Sequence, residues 1–321
     1  MWPAIFMSLI TAISAIHSGM AVEESISPDC NYASDLVFKA HQLGKKNQGQ
    51  AQQKLLFKRA IFLCPDRPEV YVSLANILFE EKNYDNAAYY YKEAIELRSR
   101  FISALYGLGE VYYQQKKYLM SLDTFVHVCD DEEKAKARIH EILKEKLWYS
   151  TPKEGFVDHD NLLFMFDQEK RDALNQGLLN CGIDEALFIR PVHRFFNLTF
   201  EQNKFELLWS GYKQLNEIAQ ALLNLPLDHS IHIHAHADNE PFFYASKEES
   251  KQLNQNLSEK RGLAVASAIE ETGIPLSRMK VYGHGTEQSL VEGRSEEASE
   301  KNRRIEIEVV APPKKKINQD D

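Results

Sequence analysis

The chain has 321 residues, 44% of them hydrophobic and 26% charged, enough apolar material for two or three cored domains and too much for wholesale disorder. With 14 glycines and 11 prolines it is not a fibrous or linker-dominated protein. A formal net charge of −9, without basic clusters interleaved with aromatics, argues against nucleic acid as a partner.

The first element is an apolar run, Ala4 to Ile16, too short for a bilayer-spanning helix, which needs about 20 residues. Gly19 and Ala21 follow at the −3 and −1 positions of a signal-peptidase site. Residues 1–21 are therefore expected to be a cleaved export signal, leaving no transmembrane segment, although Met1-Trp2-Pro3 lacks the usual Lys or Arg. Cys30, Cys64, Cys129 and Cys181 include no CxxC pair, so no thiolate zinc site is expected. Export permits disulfides, and the three possible pairings stay open.

From Ser34 into the 130s, apolar and small residues recur with a 34-residue period. With Pro68 as position 1, Tyr71, Leu74, Ala75 and Leu78 form one helical stripe, and Ala87, Tyr91 and Ala94 a second. One period later the slots hold Leu105, Leu108, Gly109 and Tyr112, then Ser121, Phe125 and Val128. One period earlier they hold Val37, Ala40, His41 and Gly44, then Phe57 and Ala60, with Gln53 where a small residue is usual. This alternation resembles the tetratricopeptide repeat (TPR), in which small residues let two antiparallel helices approach and an aromatic fills the gap. The charge-rich amphipathic stretch Asp131 to Trp148 reads as the capping helix of such a solenoid, giving a helical repeat domain over 30–149. The resemblance implies a concave groove that docks a protein partner, with Tyr89, Tyr90 and Tyr113 read as packing residues. Cys30 and Cys64 fall in equivalent slots of neighbouring layers, so pairing them is expected to need a local distortion.

Residues 150–190 carry no defensible motif. Asn161 to Phe166 reads as a strand or a helix start, and Asp167 to Leu179 as a helix. The stretch is expected to connect two domains and pack on one neighbour.

Beyond it the periodicity alternates. Val192 to Phe200, Ser230 to His236, Met279 to Tyr282 and Arg304 to Val310 read as strands. Lys204 to Leu223 reads as a helix, and a capping box at Ser246-x-x-Glu249 opens a long helix that stops at Gly273. The order βαβαββ predicts helices on one face of a small sheet. Set in this frame are HAHAD (His234 to Asp238), Asn254-Gln-Asn-Leu-Ser-Glu-Lys-Arg261-Gly, Gly273-Ile-Pro, Val281-Tyr-Gly-His-Gly285 and Asn302-Arg303-Arg304-Ile-Glu-Ile. Together they resemble the OmpA-like peptidoglycan-binding domain over about residues 192–310. The expected fold class is thus α+β: an all-α TPR-like solenoid followed by an OmpA-like α/β sandwich over 191–311, with a tail at 312–321.

The OmpA resemblance implies a site for diaminopimelate, the zwitterionic residue of the peptidoglycan stem. Asp238 would accept its ammonium, Arg261 would clamp its carboxylate, Asn254 would orient it, and Arg304 stands where the family has a second functional arginine. His236, Ala237, Asn302 and Arg303 are supporting residues. Ala235 and Ala237 replace a family glycine and threonine. The loop from Asp238 to Asn254 is about eight residues longer than the family's and carries Pro241-Phe-Phe-Tyr244, which walls the pocket, occludes it or extends the helix.

His232, His234, His236 and Asp238 also spell a pattern that suggests a metal-dependent hydrolase. The metallo-β-lactamase pattern, which this string resembles, has a histidine directly after the aspartate, where Asn239 stands, and two more downstream, where only His284 follows. No catalytic residue, metal ligand or cofactor is therefore assigned. The sequence reads as a non-enzymatic periplasmic protein of a Gram-negative type envelope, associated with the outer membrane or cell wall, which binds peptidoglycan and a protein partner. The first alternative is a periplasmic assembly or adaptor protein whose OmpA-like domain no longer binds peptidoglycan, and the second is a metal-dependent hydrolase using the strand from His232 to Asp238.

Overall fold

The computed structural model describes residues 29–45, 49–201 and 203–313. The expected export signal at 1–21 and the tail beyond residue 313 lie outside the described residues.

Among the described residues seven helices come first: α1 (Cys30–Lys45), α2 (Gln50–Leu63), α3 (Pro68–Glu80), α4 (Tyr84–Leu97), α5 (Ile102–Gln114), α6 (Tyr118–Phe125) and α7 (Glu133–Lys144). They pack as successive pairs, α1 with α2, α3 with α4 and α5 with α6. The small residues of the 34-residue pattern sit at the contacts, where Ala75, Ala87 and Ala94 have no solvent exposure. Gly109 lies against the Phe125 ring, and its carbonyl accepts a hydrogen bond from Ser121 Oγ at 2.9 Å. In the first pair the larger Gln53 is accommodated by Gly44, where a Cβ would come within 2.5 Å of Gln53 Nε2, and that nitrogen donates to Ala40 O at 3.0 Å.

Cys30 and Cys64 form a disulfide, as do Cys129 and Cys181. The expected obstacle to the first pairing is absent. Cys64 closes α2, which returns antiparallel to α1, so it lies at the foot of its own hairpin, beside Cys30, with 5.0 Å between Cα atoms.

The stretch expected to pack on one neighbour packs on both. It forms a short strand β1 (Ser150–Thr151) and helices α8 (His159–Phe166) and α9 (Gln168–Asn180). Asn161 Oδ1 accepts the backbone N–H of Leu119 at 3.0 Å, satisfying a donor in the first turn of α6. On the other side Val157 exchanges two hydrogen bonds with the Gln214 amide. Leu162, Met165 and Phe166 are fully buried in a core that runs without a break from Leu105 to Val309.

Besides 3-10 turns at Glu185–Leu187 and Leu276–Arg278, the chain continues through β2 (Val192–Phe195), α10 (Trp209–Leu223), β3 (Ser230–Ala235), α11 (Lys247–Glu270), β4 (Met279–Gly283), α12 (Glu296–Asn302) and β5 (Ile305–Val310). The sheet order is β1-β2-β5-β3-β4, with β3 parallel to β4, β5 antiparallel to both β3 and β2, and β1 parallel to β2. Two expectations shift. The strand from Val192 stops at Phe195 and the next helix starts only at Trp209, because the chain between them folds back in a Phe200–Leu207 bridge. The short helix α12 separates the last two strands, and β1 adds an unforeseen edge.

Alternation along the strands divides the sheet into two faces. Ile231, Ile233, Ile305 and Ile307 are buried, whereas His232, His234, Glu306 and Glu308 on the opposite face stay partly exposed. Helix α11 lies close on the edge strand because Gly283 has no side chain, and a Cβ there would come within 2.6 Å of the Glu259 backbone nitrogen.

Candidate functional site

The chain leaves β3 at Ala235 and turns across the strand ends, where Ala237 N donates to Gly285 O at 2.8 Å. This places Asp238 in the lining of a cavity of about 770 Å³, which Asn254 and Arg261 line from α11 and Arg303 from the end of α12. Asn254 and Arg261 are seven residues apart, two helical turns, and so share a face.

Arg261 is only 4% exposed. Its Nε donates to Lys204 O at 3.0 Å and its Nη2 to Glu201 O at 3.3 Å, while the guanidinium lies 5.1 Å from the Phe200 ring centroid. Burial pushes its pKa down to about 10, so it remains charged at neutral pH. Among the described residues it has no carboxylate within ion-pair distance, and Nη1 makes no hydrogen bond. Asp238 is placed differently. One carboxylate oxygen accepts Glu240 N at 3.0 Å, and the other accepts Arg303 Nη1 at 3.0 Å, while Arg303 Nη2 reaches Glu296 at 2.6 Å. Asn254 Nδ2 donates to Glu240 O at 3.1 Å and so fixes the enlarged loop. That loop forms one wall of the cavity through Pro241, Phe242 and Phe243, and α11 is not extended beyond its Ser246 cap.

Asp238, Asn254, Arg261, Ala237 and Arg303 are thus brought together, and Arg304 is not. Arg304 points to the other side of the strand, with Nε on Glu306 at 2.7 Å and Nη2 on Gln288 O at 3.1 Å. Asn302 is fully buried and ties the 283–295 loop through Leu290 N, Val291 N and Val291 O. His236 is buried under His284, with ring centroids 4.7 Å apart, and burial pushes its pKa down to about 3. Sequence reasoning missed the aromatic wall of Phe196 and Phe200, and Pro152 and Lys153 from the segment beside β1.

Residues 199–303 match the family model described as "OmpA family", and residues 75–116 match the one described as "TPR repeat". The chain carries an OmpA-like domain preceded by TPR repeats. Among curated proteins, the outer-membrane lipoprotein YfiB of Pseudomonas aeruginosa is 32% identical over 97 residues, 30% of this chain and 52% of that protein. The chain therefore spans about half the length of that relative. Among solved structures, the periplasmic domain of Helicobacter pylori MotB is 19% identical with a TM-score of 0.34, over 38% of this chain and 76% of that one. The peptidoglycan-associated lipoprotein of Burkholderia pseudomallei is 22% identical with a TM-score of 0.31, over 35% of this chain and 87% of that one. The first TPR of Spaghetti (RPAP3), bound to an HSP90 peptide, is 16% identical with a TM-score of 0.36, over 38% of this chain and 98% of that one.

In the OmpA-like domain the cavity opens at the carboxyl end of β3, beyond Ala235. The histidines of that strand occupy the sheet face turned away from α10 and α11. Among the described residues, no helix is long and apolar enough to cross a membrane.

Proposed function

We propose that the protein is a non-enzymatic component of a Gram-negative type cell envelope, exported to the periplasm. Its OmpA-like domain grips the diaminopimelate of peptidoglycan stem peptides, and its TPR repeats dock a protein partner. The observation that carries this reading is the state of Arg261. A cation removed from water is tolerated only where anions or dipoles offset its desolvation. Two backbone carbonyls supply part of that offset. Nη1 makes no hydrogen bond among the described residues, Arg261 and Asp238 line the same cavity, and no ion pair joins the two side chains. An amino acid with a carboxylate at one end and an ammonium at the other fits between them. The carboxylate takes Arg261, and the ammonium shares Asp238 with Arg303. Each charged hydrogen bond contributes about 1.5–3 kcal/mol, so a single stem binds weakly and the repeating polymer supplies avidity.

The test is co-sedimentation of the purified protein with sacculi of two chemistries. Stems carrying diaminopimelate present both charges at the side-chain end, whereas stems carrying lysine present only the ammonium. Retention on the former, lost in Asp238→Ala and weaker on the latter, is the expected result. Failure of the unaltered protein to sediment with either would favour the adaptor whose OmpA-like domain has lost the wall.

A further inference from the structure

We propose that His232, His234 and Glu308 form a three-ligand site for zinc or copper(II) on the open face of the sheet, separate from the cavity that holds Asp238 and Arg261. Residues two apart on a strand point the same way, so β3 presents both imidazoles to the same side. The antiparallel register sets Glu308 of β5 directly opposite His232. One potential ligand atom from each of the three lies within 4.8 Å of the other two, and His234 Nε2 is 3.6 Å from a Glu308 carboxylate oxygen. Zinc–ligand bonds of about 2.0–2.2 Å in a tetrahedron put ligand atoms roughly 3.3 Å apart, so small side-chain rotations complete the site. All three residues are partly exposed, which gives an ion a direct path from solvent.

A second observation orients the site. His234 Nδ1 lies 2.9 Å from His284 Nε2, and the two rings are stacked at 15°. A proton on His234 Nδ1, donated to His284, leaves the lone pair on Nε2, the atom that faces Glu308. His284 is in turn held against the buried His236 ring. Tyr282 stacks on His234 from β4 and restricts the ring further. Two imidazoles and a carboxylate are the donor set of a borderline ion rather than of calcium or magnesium, which take oxygen ligands. With three protein ligands, a fourth position is left for water or for a donor from another molecule. Lys280 pairs with His232 across β3 and β4 and opposes the ion, whereas Arg194 and Arg304 on the same face are both paired with Glu306.

The test is calorimetric titration of zinc chloride into the chelator-stripped full chain, with cobalt(II) absorption as a report on coordination. The expected result is one ion per chain and a tetrahedral cobalt spectrum. His234→Ala and Glu308→Gln should each weaken binding about tenfold or more. His284→Phe keeps the stack but removes the hydrogen bond, and should also weaken binding about tenfold. Lys280→Gln should tighten it, and His140→Ala, on the remote α7, should leave it unchanged. No binding by the unaltered chain would overturn the assignment. So would unchanged binding in a folded His232→Ala/His234→Ala double variant.

Discussion

Arg261→Lys separates a ligand-gripping role for this residue from a purely structural one. The substitution keeps the charge but replaces a planar fork, whose Nε and Nη2 hold Lys204 O and Glu201 O, with an ammonium whose three donors radiate from one nitrogen and cannot span the same two carbonyls while offering the planar edge that a carboxylate matches. The 199–208 loop keeps its other ties, the Phe200–Leu207 bridge and the Leu208 N to Thr199 O hydrogen bond at 2.9 Å, so its path survives the change. The loss falls on the ligand carboxylate. One charge-assisted hydrogen bond removed is about 1.5–3 kcal/mol, roughly a 10- to 100-fold weaker dissociation constant. The assay is titration with a soluble stem peptide ending in diaminopimelate, which avoids the avidity of the polymer, alongside circular dichroism to verify the fold. Affinity within about twofold of the unaltered protein, in a variant that remains folded, would refute the reasoning. Arg261 would then be a strut that fixes the loop to α11.

The buried histidines set the acid stability. His193 and His236 are held neutral with pKa values of about 3, depressed by burial from 6.5. A base whose folded-state pKa is depressed leaves the unfolded chain binding more protons, so stability falls as pH drops below 6.5 and levels off near 3. Each contributes a slope of about 1.4 kcal/mol per pH unit in that window. Urea unfolding across the window should show a slope that His236→Phe, which keeps a ring against His284, lowers by about 1.4 kcal/mol per pH unit; an unchanged slope would contradict the assignment. Truncation probes the shared core. A fragment starting at residue 191 loses β1 and the Leu162, Met165 and Phe166 cover, and leaves Gln214 without Val157. It should bind a hydrophobic dye and unfold without a cooperative transition, and a sharp transition with full retention on sacculi would show that the OmpA-like domain stands alone.

The repeats and the elements of the OmpA-like domain were legible because both rest on periodicity, which every buried stripe must obey. Gly109 and Ser121 were readable as close-approach positions from their spacing alone, and Ser246 and Glu249 as a capping box from theirs. What escaped notice depends on contacts distant in sequence. Asn161 caps a helix that begins 43 positions earlier, at Tyr118, and nothing in its local sequence says so. Likewise spacing hides the disulfide Cys30–Cys64, because a period of 34 is one layer's step and, in an antiparallel pair, also the round trip back to the first turn. The cavity residues Asp238, Asn254 and Arg261 came from motif position, and that route cannot distinguish Arg303 from Arg304. Only the geometry does, because adjacent residues at the start of a strand point to opposite sides.

The same alternation explains why the run from His232 to Asp238 resembles the ligand string of a hydrolase without assembling as one. Regular strand pairing of β3 ends at Ala235, and the residues beyond it follow a different course. His232 and His234 stay on the open sheet face, His236 is buried beneath His284, and Asp238 is carried to the cavity, where it meets Arg303. The carboxylate that approaches the two exposed imidazoles therefore comes not from four residues down the chain but from Glu308 on the neighbouring strand. A seven-residue pattern thus splits into two places of different chemistry. One is a cavity lined by Asp238 and Arg261, opposite charges with no ion pair between them, for which a dipolar amino acid is the proposed ligand. The other is a partly exposed imidazole–carboxylate cluster suited to a metal ion. Variants that weaken one should leave the other intact, because no hydrogen bond among the described residues joins Asp238 to His232, His234 or Glu308.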